Sequence, residues 1–177
     1  MYLFVFLVLG LLGLPLVMLS GNKQGKVILD EEVALPFMVE QEKRVILLYF
    51  GYLGCTTICT PSLEEISSIY TQSGAPKGLA FYFINLAPES GDLDAFVHYF
   101  HKEFIALQLS DEKRQKLMRD LRAYSSESLS GDGEISHTGH LYMIKQDRQK
   151  NFTLKVMYYT RPFDVESIVN DIKKELK

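Results

Sequence analysis

The chain opens on an almost unbroken apolar run. From Tyr2 to Leu19 no residue carries a charge, and only Gly10, Gly13 and Pro15 interrupt the series. A run of this length is near the minimum for crossing a bilayer and exceeds the apolar stretch of an ordinary secretory signal. No Lys or Arg precedes it, and Met18-Leu19-Ser20 lacks a small-residue cleavage pattern. Residues 1–21 therefore read as a membrane anchor in preference to a cleaved signal segment, with residues 2–19 in the membrane. Residues 22–32 are polar and read as a linker, and residues 33–177 read as one folded domain. Lys23 and Lys26 follow the apolar run and, taken alone, would bias that side inward.

Within the domain the hydrophobic period alternates between strand and helix. Residues 44–51 (RVILLYFG) are too short a run for a helix and rich in β-formers, which suits a strand buried on both faces. Thr60-Pro61 predicts a helix start, with Thr60 as N-cap and Pro61 as the first helical residue. Leu63, Ile66 and Ile69 then fall on one face of a helix over 62–72. Residues 79–86 read as a second buried strand, closed by Pro88. Phe96, Tyr99 and Phe100 mark a helix over 92–104, and 105–109 a short edge strand. Ser110 is placed to cap a helix over 111–121. A polar loop, 125–134, precedes a hairpin of strands 141–144 and 152–157. Asp164 caps a last helix reaching Leu176. This order predicts an α/β sandwich with a mixed central sheet.

Composition narrows the function. The net charge is −3 and no Lys/Arg cluster stands out along the sequence, so a nucleic-acid partner has no electrostatic footprint. Paired-carboxylate, nucleotide-loop and Gly-x-Ser-x-Gly patterns are absent from the sequence. Its 2 cysteines, Cys55 and Cys59, stand four positions apart. A staple closing so short a loop would add little stability, so the pair points to redox chemistry or metal binding. Placed where a strand end meets a helix N-terminus, the sulfurs meet the positive end of the helix dipole, which favours thiolate.

Two thiolates fall short of a tetrahedral zinc site but suit a soft ion such as Cu(I), and one added imidazole would make Cu(II) tolerable as well. The chain has 4 histidines to supply that nitrogen. His98 and His101 lie on the predicted helix over 92–104 and read as a solvated face. His137 and His140 both sit where the polar loop meets a strand, and spacing alone does not choose between them.

Three segments together resemble the Sco/SenC family of copper chaperones. Residues 48–63 (LYFGYLGCTTICTPSL) look like its F-G-Y-x-x-C-P-x-x-C-P-x-x-L motif. Residues 84–89 (INLAPE) look like its V-S-V-D-P-E segment, and residues 135–144 (ISHTGHLYMI) like its D-H-S-x-x-x-Y-L-I segment. Order and spacing agree over most of residues 27–176. The resemblance implies a thioredoxin-like fold, a central mixed sheet flanked by helices. It implies copper held by Cys55, Cys59 and His137, as Cu(I) and also Cu(II). It further implies delivery to a copper-receiving protein, oxidase subunit II or another copper chaperone, or maturation of the copper site of a respiratory oxidase. The domain would face the periplasm or an equivalent extracytoplasmic space. The alternative is a membrane-anchored thiol–disulfide oxidoreductase, in which Cys55 and Cys59 are the redox pair. The chain departs from the family pattern at Thr56 and Thr57 between the cysteines and at Pro61, one place late. Ala87 and Ser136 stand where the family has Asp, which makes the site less anionic.

Overall fold

The computed structural model describes residues 25–40, 42–88, 91–127 and 134–177. The apolar segment 2–19 lies outside the described residues, as does most of the polar loop at 128–133. Among the described residues no helix is long and apolar enough to cross a membrane.

Eight strands are described: β1 (Lys26–Val33), β2 (Val45–Gly51), β3 (Leu79–Asn85), β4 (Ile105–Leu107), β5 (Ser125–Glu127), β6 (Ile135–His137), β7 (Leu141–Gln146) and β8 (Phe152–Tyr158). Four helices join them: α1 (Cys59–Gln72), α2 (Leu93–Phe100), α3 (Asp111–Asp120) and α4 (Val165–Glu175). Six strands form one sheet in the order β1-β8-β7-β2-β3-β4, and β5 pairs with β6 as a separate hairpin. β2 runs parallel to β3 and antiparallel to β7, so the sheet is mixed, as expected.

Every residue of β2 and β3 is buried. They occupy the middle of the sheet with both faces covered, and their continuous apolar runs fit that position. The core extends to Leu63, Ile66 and Ile69 of α1, Leu117 of α3, and Ile168 and Ile172 of α4. Asp92 and Asp164 cap α2 and α4, accepting from the N–H groups of Ala95 and Ser167 at 2.9 and 3.0 Å.

Four expectations are corrected. Residues 26–32 are not linker: they form most of edge strand β1, paired antiparallel with β8. Their polar character reflects an edge strand exposed on one side, with a register irregularity between Ile28 and Glu31 and a positive φ of 78° at Asp30. The first helix begins at Cys59, with Ile58 in the N-cap position. Pro61 fits inside that first turn because N–H groups there have no intrahelical acceptor. The Thr60 hydroxyl donates to the Cys55 carbonyl at 3.3 Å and does not cap the helix. The second helix ends at Phe100, not 104. His101 is extended there, and Phe104 turns into the core against Tyr70 and Phe81, with ring centroids 5.5 and 4.3 Å apart. Ser110 occupies the N-cap of α3 without a side-chain cap bond.

Candidate metal centre

The centre lies at the end of the sheet where β2 stops. Cys55 follows the turn after Gly51 and Tyr52, and Cys59 is the first residue of α1. The four-residue separation lets the Cys55 sulfur reach back over the helix start, where it accepts the Cys59 N–H at 3.3 Å. A sulfur thus fills the place of a capping oxygen at an otherwise unpaired donor. His137 ends β6, and its pairing with Ser125 of β5 brings the imidazole over the two sulfurs. Nε2 of His137 lies 3.4 Å from Cys59 Sγ and 3.9 Å from Cys55 Sγ. All three ligand atoms fall within 4.8 Å of one another, and all three residues are buried.

The imidazole is held in a defined orientation. Its Nδ1 sits 3.3 Å from the Thr138 carbonyl, the position of a donor, which leaves Nε2 as the nitrogen with a free lone pair. The rings of Tyr49 and Tyr52 stand nearly perpendicular to it, at centroid distances of 6.3 and 6.0 Å. Burial pushes the Tyr49 phenol up, and the two nearby sulfurs add to that, so it remains protonated. Neither the Tyr49 nor the Ser62 hydroxyl closes a hydrogen bond among the described residues. Beneath the cysteines, a Cβ on Gly51 would lie 2.7 Å from the Phe83 ring and 2.9 Å from Cys59 Sγ, so only glycine lets that sulfur sit against the sheet.

The two thiols are electrostatically unequal. Cys55 is held well below the ordinary thiol range, first by the hydrogen bond from the Cys59 thiol, then by His137 when its Nε2 carries a proton and by the backbone N–H groups of Cys59 and Ile58, against the opposing effect of burial. Cys59 is pushed up, because its proton makes that bond and because it is buried. Of the metal-free pair, Cys55 is thus the thiol that ionises more readily and Cys59 the one that keeps its proton longer. Tyr52, Cys55, Thr57, Ile58 and residues 135–137 line an open groove of about 480 Å³ leading to it.

The other histidines are elsewhere. His98 is exposed on α2, as expected of a solvated face. His101 lies past the helix end, its ring packed on Tyr70 at 4.7 Å and its Nδ1 accepting the Glu103 N–H. His140 packs near Tyr142 at 6.1 Å, and its Nδ1 has no partner among the described residues. Burial, and then the charge of Arg161, lower its pKa.

Sequence reasoning missed Arg161. This exposed side chain folds over Gly139, where a Cβ would meet its guanidinium carbon at 2.7 Å. Its charge favours the thiolate form of Cys59. Nothing in the local sequence marks it, because the loop after β8 reaches the centre only through the sheet. Two thiolates and a neutral imidazole around Cu(I) sum to −1, and around Cu(II) to zero. A nearby cation therefore favours Cu(I). In the copper-loaded protein, Arg161→Gln is expected to lower the Cu(II)/Cu(I) potential by some tens of millivolts, roughly the effect of a partly solvent-screened charge. Protein-film voltammetry checks this, and an unchanged or raised potential would count against the electrostatic role.

Comparison with known proteins adds the wider context. A family model described as SCO1/SenC matches residues 39–177. The mitochondrial SCO2 homologue of Danio rerio is 29% identical over 141 residues, which cover 75% of this chain and 49% of that protein. The chain spans about half the length of curated relatives that it matches. Among solved structures, Arabidopsis thaliana ScoI with copper bound aligns with a TM-score of 0.60 at 26% identity, covering 75% of this chain and 84% of that one. Apo Sco1 from Thermus thermophilus aligns with a TM-score of 0.63 at 20% identity, covering 87% and 94%, a likeness of fold. The cysteine pair, the histidine brought over it and every strand of the sheet but β1 fall inside the matched span, and the chain belongs to the SCO1/SenC family.

Proposed function

We propose that this protein carries one copper ion on Cys55, Cys59 and His137 and passes it to a copper-receiving protein, oxidase subunit II or another copper chaperone, during assembly of a respiratory oxidase. The observation that carries the reading is the convergence of two sulfurs and one correctly oriented imidazole nitrogen within 4.8 Å. That donor set suits a soft monovalent ion with three ligands. The groove beside Cys55 gives a partner's ligand a path to the ion, so the copper can move by stepwise exchange without ever being free. We also propose that residues 2–19 tether the domain to a membrane, with the domain on its extracytoplasmic side.

Both sulfurs bind the ion as thiolates, so loading must displace the proton of Cys59, the thiol held up by burial and by its bond to Cys55. Protons and copper then compete, and affinity falls as pH falls. The test is an anaerobic Cu(I) titration of the reduced protein against a competing chelator. One tight equivalent is expected, with release of about one proton near neutral pH, read from the buffer dependence of the calorimetric heat. If no tight copper binding occurs and a reversible disulfide of ordinary potential forms instead, the carrier reading fails and a thiol–disulfide oxidoreductase takes its place.

A further inference from the structure

Two buried hydroxyls beside the centre stand unpaired. Tyr49 is 0% exposed and Ser62 2% exposed. Neither Tyr49 Oη nor Ser62 Oγ closes a hydrogen bond among the described residues. A buried hydroxyl without a partner is unfavourable, because it has given up water and received nothing in exchange. Native interiors pair nearly all such groups. A pair of hydroxyls left open against a functional centre therefore points to a neighbour whose bonding changes as the protein works.

The neighbour is the Cys59 sulfur. Tyr49 and Gly51 are two apart on β2, so they project from the same face of the strand. The sulfur rests on that face, since a Cβ on Gly51 would lie 2.9 Å from Cys59 Sγ. Ser62 follows Cys59 by three residues on α1, hence on the same side of the helix. Burial raises the Tyr49 phenol first, and the charge of Cys59 adds more to that than the charge of Cys55, while the Ser62 hydroxyl acts on the phenol in the opposite direction as a hydrogen-bonding neighbour. The Tyr49 ring also stands edge-on to His137, with centroids 6.3 Å apart. Beyond the bond between the two thiols, the Cys55 sulfur has the backbone N–H groups of Cys59 and Ile58, and the Cys59 sulfur has the backbone of Tyr52.

We propose that Tyr49 is a positioning residue of the copper carrier, its hydroxyl donating a hydrogen bond to the Cys59 sulfur in the loaded protein while the Ser62 hydroxyl donates in turn to the Tyr49 oxygen. The proposal rests on the carrier reading of Cys55, Cys59 and His137. As a thiol, Cys59 turns its proton to Cys55 and is a weak acceptor; as a thiolate ligand it is a strong one. A phenol hydroxyl reorients by turning about its C–O bond, without moving the ring. The hydroxyl pair is thus satisfied when copper is held and open when copper has been passed on. A bond to the sulfur also draws electron density from it. That favours Cu(I), which takes less density from its ligands, over Cu(II).

The test compares the unaltered full chain with Tyr49→Phe, Ser62→Ala and the double variant. Tyr49→Phe keeps the ring and its contact with His137 and removes only the hydroxyl. Its Cu(I) affinity, read by chelator competition, is expected to fall about three- to tenfold, part of the worth of a hydrogen bond to a charged group. Its Cu(II)/Cu(I) potential is expected to fall, and its sulfur-to-Cu(II) charge-transfer band to move to longer wavelength, because the sulfur then holds its electrons less tightly. Ser62→Ala is expected to act in the same direction and less. The double variant is expected to match Tyr49→Phe, since a relay through one hydroxyl is not additive. Without metal, Tyr49→Phe is expected to unfold no earlier than the unaltered chain, because an unpaired buried hydroxyl has been removed. If the unaltered chain binds no tight copper, the carrier reading fails and this proposal with it. If the unaltered chain loads normally but the potential and band of Tyr49→Phe are unchanged, with or without a loss of metal-free stability, the carrier stands and the assignment to Tyr49 is overturned. Additive effects of the two substitutions would overturn the relay through Ser62.

Discussion

Replacing both cysteines, Cys55→Ser with Cys59→Ser, is expected to abolish tight Cu(I) binding, and His137→Ala to weaken it at least about a hundredfold. Hydroxyl oxygens are hard and neutral, whereas the ion is soft and takes most of its stabilisation from thiolate sulfur. The double variant leaves one imidazole, which does not hold the ion alone. His137→Ala leaves both sulfurs in place. Loss of a partner that merely orients a ligand costs ~10–100-fold in metal affinity, and removing the ligand itself costs at least that much. The fold should survive both changes: serine is close in size to cysteine, and His137 sits at the end of a three-residue strand outside the main sheet. Competition titrations, with far-ultraviolet circular dichroism on the same samples, check the pair. Tight binding retained by the double serine variant would sink the proposed ligand set. Full affinity in His137→Ala would reduce the site to two sulfurs and assign the histidine a structural role.

Phe83→Ala is expected to destabilise the domain by about 3–5 kcal/mol, the range for a fully buried Phe truncated to Ala. Phe83 is 0% exposed in the central strand β3, and its ring stands edge-on to Phe96 at 5.7 Å. Sheet and flanking elements fix its surroundings, so the cavity cannot collapse fully. For a domain of this size the loss corresponds to a fall in Tm of roughly 6–20 °C. The ring and the Cys59 sulfur both close over Gly51, where a Cβ would lie within 3 Å of each. Phe83→Leu fills most of the volume and should lose much less. Denaturant unfolding of the reduced protein measures the difference. A loss below about 1 kcal/mol would mean that the ring carries little of the packing assigned to it.

The central strands were legible because their hydrophobic runs are local facts. Residues 44–51 and 79–86 hold too many consecutive apolar side chains for any place but a covered sheet centre, and β2 and β3 lie there. β1 was not legible. An edge strand needs one partner and can leave its other side to water, so its polar residues resemble a linker until β8 is seen beside them. Helix ends shifted for a related reason: the Cys55 sulfur and the Phe104 ring meet partners distant in sequence or outside the usual capping pattern, and these contacts fix where α1 starts and α2 stops.

At the candidate site, the amino-acid sequence by itself determined the cysteine pair, its place between strand and helix, and the narrowing to two histidines, His137 and His140. Resemblance to the family singled out His137. Tertiary structure decided which imidazole stands over the sulfurs, since β5–β6 pairing places His137 within 3.4 Å of Cys59 while His140 packs near Tyr142. It also brought Tyr49, Tyr52 and Arg161 to the site. Neighbours along the chain fix backbone conformation, and so the spacing of Cys55 and Cys59. A ligand cluster also needs distances between segments far apart in sequence, and these exist only once burial of the shared sheet has fixed the strand order.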